Sequence, residues 1–326
     1  NSIAMFRTPL LLICLSFLLG HIALSNAQEW PSRTISLIVT YPPGGTADLM
    51  ARTIAGPLGK ILGSSVIVEN RPGATGQIAA SYVAKSQADG YTIMLDASSY
   101  SVNPALFPKL PYDPNKAFKT LAVLAQYPNV LLVNPNCAAK SAKDLVVIAK
   151  NKPNTISYAS SGNGSAQHLA GALFELQTGI EMQHIPYKGG GPDLNDVIAG
   201  QVPIFFGSVA STKQFVDSGK LNALAVTSRK RASSMPSVPT MTEAGIVSYE
   251  VYEWNALFAP AATPNTILQK LTEGISKVTQ SAEFVEKVNS LGGEVFQGNA
   301  EVADVFIKTQ MTQWAKLIKS GKITVD

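Results

Sequence analysis

Ile35-Ser-Leu-Ile-Val-Thr-Tyr-Pro-Pro-Gly-Gly-Thr-Ala-Asp48 begins as one kind of structure and ends as another. Residues 35–40 form a short, nearly continuous apolar run, the pattern of a parallel strand covered on both faces. Pro42-Pro-Gly-Gly45 stops the run, and Leu49, Ala51, Ile54, Ala55 and Leu58 then fall near helical spacing. A strand passing through a glycine-rich turn into a helix is a βα unit. A chain that keeps this rhythm predicts an α/β fold with mostly parallel sheets.

The rhythm continues outward. Residues 66–68 and 91–95 read as strands, with a helix over 78–85 between them. A proline-rich loop over 104–114 leads to a crossover strand at 121–125, and a further strand follows at 130–133. Helices over 142–150, 166–177 and 193–199 alternate with strands at 156–159, 183–185, 202–206 and 223–227. An extended stretch over 249–260 precedes C-terminal helices near 267–280, 282–291 and 300–318. Two crossovers divide the chain into a lobe built from both ends, residues 28–126 and 253–326, and a lobe built from 127–252.

Length and composition agree with two packed lobes. The 326 residues are 46% hydrophobic and only 15% charged, which excludes a disordered chain. Arg7 followed by the apolar run Leu10-Leu-Leu-Ile-Cys-Leu-Ser-Phe-Leu-Leu19 and by Ser25-Asn-Ala27 reads as a cleavable signal peptide over residues 1–27. That run is too short to span a bilayer. Removing the leader takes Arg7 from a formal charge of +4, leaving +3. Cys137 is then the one remaining cysteine, so no internal disulfide is expected. Arg229-Lys-Arg231 is the densest basic cluster and has no interleaved aromatics, so nucleic acid is not an expected partner.

Two strand-to-helix loops carry the candidate chemistry. In Tyr41-Pro-Pro-Gly-Gly-Thr-Ala-Asp48, Gly44 and Gly45 permit a backbone that presents successive N–H groups in front of a helix N-terminus. Ser160-Ser-Gly-Asn-Gly-Ser165 adds hydroxyl and amide donors in the corresponding place of the second lobe. Both loops lie at carboxyl ends of strands, where open α/β sheets bind ligands, and a helix N-terminus is a ready anion site. Neither contains a cation. Nucleophile elbow, dinucleotide and P-loop motifs are all missing, and the two histidines and one cysteine that follow the expected leader leave little for a metal site. No cofactor or metal is expected. His168 reads as a packed or loop-bonding histidine, with a serine hydrolase using Ser161 or Ser165 and His168 as the alternative.

The residues also carry a resemblance. Val39-Thr-Tyr-Pro-Pro-Gly-Gly-Thr-Ala-Asp48, Glu69-Asn-Arg-Pro-Gly-Ala74, Ala88-Asp-Gly-Tyr-Thr92, Asn103-Pro-Ala-Leu106, Gly162-Asn-Gly-Ser165 with His168-Leu169, Pro186-Tyr-Lys-Gly189 and Phe258-Ala-Pro260 resemble the substrate-binding family of tripartite tricarboxylate transporters, the Bug-type receptors. The resemblance implies a type II periplasmic-binding fold that closes like a flytrap on its ligand. It further implies a monomeric, non-enzymatic receptor that takes a small dicarboxylate or aromatic acid to membrane permease subunits. A receptor reporting to a signalling partner is the other reading. By motif position the ligand carboxylate would meet Gly44, Gly45 and Thr46 from one lobe, and Ser161, Asn163, Gly164 and Ser165 from the other. Tyr41, Ser99, Tyr187, Ser208 and Trp254 complete the candidate set. The chain departs from the family pattern at Thr75, where glycine is common, and at Gly207, where many relatives carry aspartate.

Overall fold

The computed structural model describes residues 29–189, 191–319 and 323; the expected leader over 1–27 lies outside them. Arg33–Asp326 form one compact unit.

Strand β1 (Ile35–Val39) lies between β2 (Val66–Asn70) and β3 (Thr92–Ala97), parallel to both. Ile35, Leu37, Ile38 and Val39 are fully buried, which accounts for the unbroken apolar run. Helix α1 (Thr46–Leu62) lays Met50, Ile54 and Leu58 inward. It stops at Gly63, whose left-handed backbone (φ 71°) returns an amide to the Gly59 carbonyl. Helices α2 (Gln77–Ala84) and α3 (Ser99–Leu106) flank β3.

The spine is β4 (Phe118–Val133), sixteen residues long. Over 118–128 it pairs antiparallel with β9 (Tyr252–Pro260). Over 129–133 it pairs antiparallel with β7 (Ile204–Ser208) and β8 (Asn222–Val226). Beyond β7, β5 (Ser157–Ser160) runs parallel to β7 and to β6 (Gln183–Pro186). The sheet order is β2-β1-β3-β9-β4-β7-β5-β6. The parallel arrangement read from the sequence therefore holds on the two flanks, whereas the spine is antiparallel. Residues 121–125 and 130–133 belong to one strand, carried through Pro128, whose partner is Tyr252 at the end of the β9 register.

Helices α4 (Ala142–Asn151), α5 (Ala166–Thr178), α6 (Pro192–Ile198) and α7 (Val209–Asp217) belong to the second half-sheet. The chain ends with α8 (Asn265–Thr279), α9 (Ala282–Ser290), the short β10 (Glu294–Val295) and α10 (Ala300–Lys319). Alternation along β4 feeds two cores, with Leu131 and Val133 packed with Tyr158, Phe174 and Phe206, and Val130 and Leu132 with Phe205 and Val226. A separate core around Ile38, Met94, Trp254 and Phe258 fills the first half-sheet. Helix α10 reaches both halves, since Ala303 and Ile307 pack in this core while Trp314 packs with Leu131 and Phe174.

Thr227, just past β8, pins the crossing. Its hydroxyl accepts the Asn129 amide at 2.8 Å and donates to the Val251 carbonyl at 2.5 Å. Its own amide and carbonyl bond the Asn129 carbonyl and the Val251 amide.

Candidate functional site

The turn before α1 is held from behind. Gly44 adopts φ 91°, a conformation costly for side chains, and its amide donates to Asp48 Oδ2 at 3.1 Å. Asp48 also accepts from Arg52 Nε at 3.0 Å and Asn70 Nδ2 at 3.0 Å. Burial works against its ionisation, but these hydrogen bonds outweigh it and hold its carboxyl below the ordinary range. Arg52 thus serves an ion pair inside the loop. Gly45 differs from its neighbour: it is the helix N-cap at φ −84°, an ordinary extended backbone. With no side chain to cap the helix, it leaves the first-turn amides to whatever enters from outside.

The second loop is tighter. A Cβ on Gly162 (φ 127°) would lie 3.2 Å from the Tyr187 carbonyl and 3.3 Å from Thr75 Oγ1. This loop therefore touches the first half-sheet at Thr75. The Gly164 amide donates to His168 Nδ1 at 3.0 Å, and a Cβ there would meet Leu106 at 2.8 Å. Ser165 caps α5 by accepting the His168 amide at 3.3 Å. Ser161 donates to Asp193 Oδ2 at 2.8 Å. His168 accordingly bonds the loop backbone, and neither Ser161 nor Ser165 points its hydroxyl bond at the ring. Ser160 Oγ lies 2.6 Å from His184 Nε2, and the His168 and His184 rings stack at 3.9 Å. Ser160 is fully buried, and burial holds the His184 imidazole down to about 4, which makes it a poor base at neutral pH.

The two loops line a tight cavity of about 30 Å³, room for a water-sized guest as the loops stand. Gly45, Thr46 and Ala47 approach it from the start of α1, and Ser165, Ala166 and Gln167 from the start of α5. Two helix N-termini therefore converge on one space. Tyr41, Ala97, Ser98, Ser161, Phe205, Ser211 and Glu253 complete the wall, which holds no lysine or arginine. Tyr41 is oriented by its hydroxyl, which donates to Ser99 Oγ at 2.9 Å, and burial raises its phenol well above the usual value.

Of the residues singled out from sequence, Tyr41, Gly45, Thr46, Ser161 and Ser165 meet in this wall. Gly44 shapes the turn, Gly164 packs beneath Leu106, and Ser99 stands behind Tyr41. Asn163 and Tyr187 line a neighbouring cavity of about 300 Å³ together with Thr75 and Lys188. Ser208 is fully buried at the start of α7, its hydroxyl without a partner. The structure does not bring Trp254 to the cavity: its ring is buried in the first core, 5.8 Å from Phe306.

The residue before it was not foreseen. Glu253 is 7% exposed, and its Oε2 has no hydrogen-bond partner. Burial, set against a hydrogen bond with Thr46 and reinforced by nearby Asp193, pushes its carboxyl up to about 7. Asp193 is pushed up to about 7 by burial, against the Ser161 bond. Glu253 is the one acid within the strand Tyr252–Pro260, and that was the sequence signal. Ser98, Asn129 and Asn255, also buried, carry unpartnered side-chain atoms along the same crossing. Such groups mark a place built for polar guests.

Comparison with known proteins shows the family and the fold. A family model described as the tripartite tricarboxylate transporter family receptor matches residues 50–323. BugT of Bordetella pertussis is 35% identical over 302 residues, 92% of this chain and 93% of its own. An R. palustris protein solved with adipate superposes with a TM-score of 0.88 at 34% identity, covering 91% of this chain and 99% of that one. The periplasmic binding protein BugD gives 0.86 at 33% identity, covering 90% and 99%. Among the described residues, no helix is long and apolar enough to cross a membrane.

Proposed function

Because the chain belongs to the tripartite tricarboxylate transporter receptor family and has its periplasmic-binding fold, we propose that it captures a small organic carboxylate in the periplasm for delivery to membrane permease subunits. The observation that carries this reading is the convergence of two helix N-termini and several hydroxyls on a cavity without a cation. Buried N–H and O–H donors suit a carboxylate, since their dipoles are already oriented and need no counter-ion. The adipate held by the R. palustris protein supports an organic acid as the ligand. The ligand would be a dicarboxylate or an aromatic acid, whose carbon skeleton would lie against Tyr41 and Phe205.

In this reading residues 28–126 with 253–326, and residues 127–252, are the lobes that close on it. The direct contacts come from Thr46, Ser161 and Ser165 with the α1 and α5 amides. Gly44, Ser99 and Gly164 shape the loops, and Asn163 and Tyr187 serve the adjoining cavity. The protein returns its ligand unchanged and acts as a monomer.

Mass spectrometry of small molecules released from gently purified protein tests the proposal, and an organic acid in stoichiometric amount is the expected result. Ligand-free protein with a matching acid at about 100 times its Kd should gain about 2.7 kcal/mol. That corresponds to a rise in Tm of about 5–10 °C. A broad acid panel that gives no shift, or turnover of a panel member, defeats the reading.

A further inference from the structure

We propose that Glu253 enters the binding site as a neutral carboxylic acid and donates its proton to the carboxylate of the bound ligand. The inference rests on the carboxylate-receptor reading and specifies what the far side of that site recognises.

Glu253 lies on β9 opposite Tyr127 of β4, and cross-strand partners share a face. Its side chain lines the cavity that the two helix N-termini approach. Thr46 stands close enough to favour the charged form of its carboxyl, while Oε2 is buried without a hydrogen-bond partner. A buried oxygen without a partner, on a residue of the cavity wall, is free to bond a group that arrives later. Two chemistries could satisfy it: a cationic or neutral N–H of the ligand pairing with an ionised Glu253, or a ligand carboxylate accepting a proton from the acid form.

The surroundings favour the second. The groups facing Glu253 are acidic or neutral: Asp193 from α6, Tyr41 from the end of β1, Tyr127 from β4, and Thr46 from α1. Asp96, on β3, faces Tyr41 from the other side. No lysine or arginine lines the cavity; Arg52 is tied to Asp48, and Lys188 lines the neighbouring cavity. An ionised Glu253 would add to this negative crowd and repel the anion that the helix N-termini attract. Two carboxyl groups sharing one buried site hold a proton between them. The resulting O–H to carboxylate bond is of the short, charge-assisted kind. The burial that raises the Glu253 carboxyl toward neutrality works in the same direction.

Binding should therefore take up one proton once the free protein's Glu253 has ionised. The test is calorimetry of adipate and benzoate at pH 6.0, 7.0 and 8.5, each in two buffers of different ionisation heat. The expected result is net proton uptake above pH 7, with affinity weakening up to about tenfold per pH unit there. Glu253→Gln, which offers a neutral N–H at the same place, should bind several-fold more weakly than wild type at pH 6.0. It should show no pH dependence, so that it matches or exceeds wild type at pH 8.5. Affinity that rises with pH, proton release, or a slope that persists in Glu253→Gln overturns the proposal. The last outcome would move the proton to Asp96 or Asp193. Failure of every acid in a broad panel at every pH overturns the receptor reading as well, a result distinct from pH-independent binding, which overturns this inference alone.

Discussion

The ring of Phe205 covers the backbone of Gly207 so closely that a Cβ at position 207 would lie 2.5 Å from Phe205 Cε1. Thr212 Cγ2 closes the other side at 2.6 Å. The same aromatic ring lines the cavity, so no side chain at position 207 fits without moving it. The acid that lines this cavity is Glu253, on the opposite half-sheet.

Gly207→Asp should therefore disturb rather than restore. The carboxylate would displace Phe205 from a packed strand, and overpacking of this kind costs about 1–3 kcal/mol before the burial of a charge is added. Denaturant titration should show the loss. The paired variant Gly207→Asp/Phe205→Ala, which opens the space, should recover part of it.

Thr227→Val tests the crossing. The hydroxyl serves an amide of β4 and a carbonyl next to β9, and valine keeps the shape while leaving both buried groups unbonded. Each orphaned group costs about 1–3 kcal/mol, so a loss of at least about 2 kcal/mol in chemical denaturation is expected. A variant as stable as wild type would show that the strands are held elsewhere.

How much of this was legible in the sequence depended on whether the signal was local. Residues 35–39 announced a buried strand because both faces are covered, and α1 announced itself by spacing. The spine β4 read as two pieces because Pro128 interrupts it, and only its partner strand shows that the break is spanned. Helices α3 and α7 are short and rich in small polar residues, with Pro104 inside α3, so neither gave a periodic signal. Trp254 was chosen and Glu253 overlooked because aromatics commonly line clefts. Successive strand residues point to opposite faces, so the register that buries Trp254 in the core turns Glu253 toward the cavity. That register is set by residues more than a hundred positions away, beyond the reach of local patterning.

Stability of the ligand-free protein should fall as pH rises from about 4 to about 7 and level off above. Asp96, Asp193 and Glu253 are each pushed up by burial to about 7, against ordinary values near 4. In that window the folded protein holds protons the unfolded chain has released, so raising the pH favours unfolding. His184 acts in the opposite sense, since its lowered value makes acid destabilising below about 6.5. Three acids against one imidazole give a net fall. Tm between pH 5 and 8.5 measures it, and Asp96→Asn should flatten the slope. A Tm that climbs steadily to pH 8 would show that these acids are ionised in the fold.

Binding should depend little on ionic strength, because the cavity wall contains no cation to attract the ligand over distance. Arg52→Gln and Lys188→Gln should each change Kd less than tenfold, whereas Ser165→Ala should cost about 1.5–3 kcal/mol of binding. A hundredfold loss from either charge change, with the fold intact by circular dichroism, would show that a charge clamp holds the ligand.

Gly44 and Gly45 are adjacent, yet the structure gives them opposite jobs, and substitution should separate stability from binding. Gly44 holds φ 91°, where an L side chain is strained whatever space surrounds it. Gly44→Ala should lower stability by about 1–2 kcal/mol. Its effect on binding should follow from the disturbed turn, since the Gly44 amide is already committed to Asp48. Gly45 has an extended backbone that β-branched residues adopt readily, and a Cβ there meets nothing within 4 Å. Gly45→Val should therefore fold with stability within about 0.5 kcal/mol of wild type. Its two methyl groups would nevertheless stand at the mouth of α1, in the cavity and between the ligand carboxylate and the first-turn amides. Calorimetry with adipate, or with whichever acid is released from the native protein, should then show at least a hundredfold loss. Binding preserved in Gly45→Val would place the anion away from α1. Stability lost in Gly45→Val but retained in Gly44→Ala would mean that the two glycines have been assigned in the wrong order.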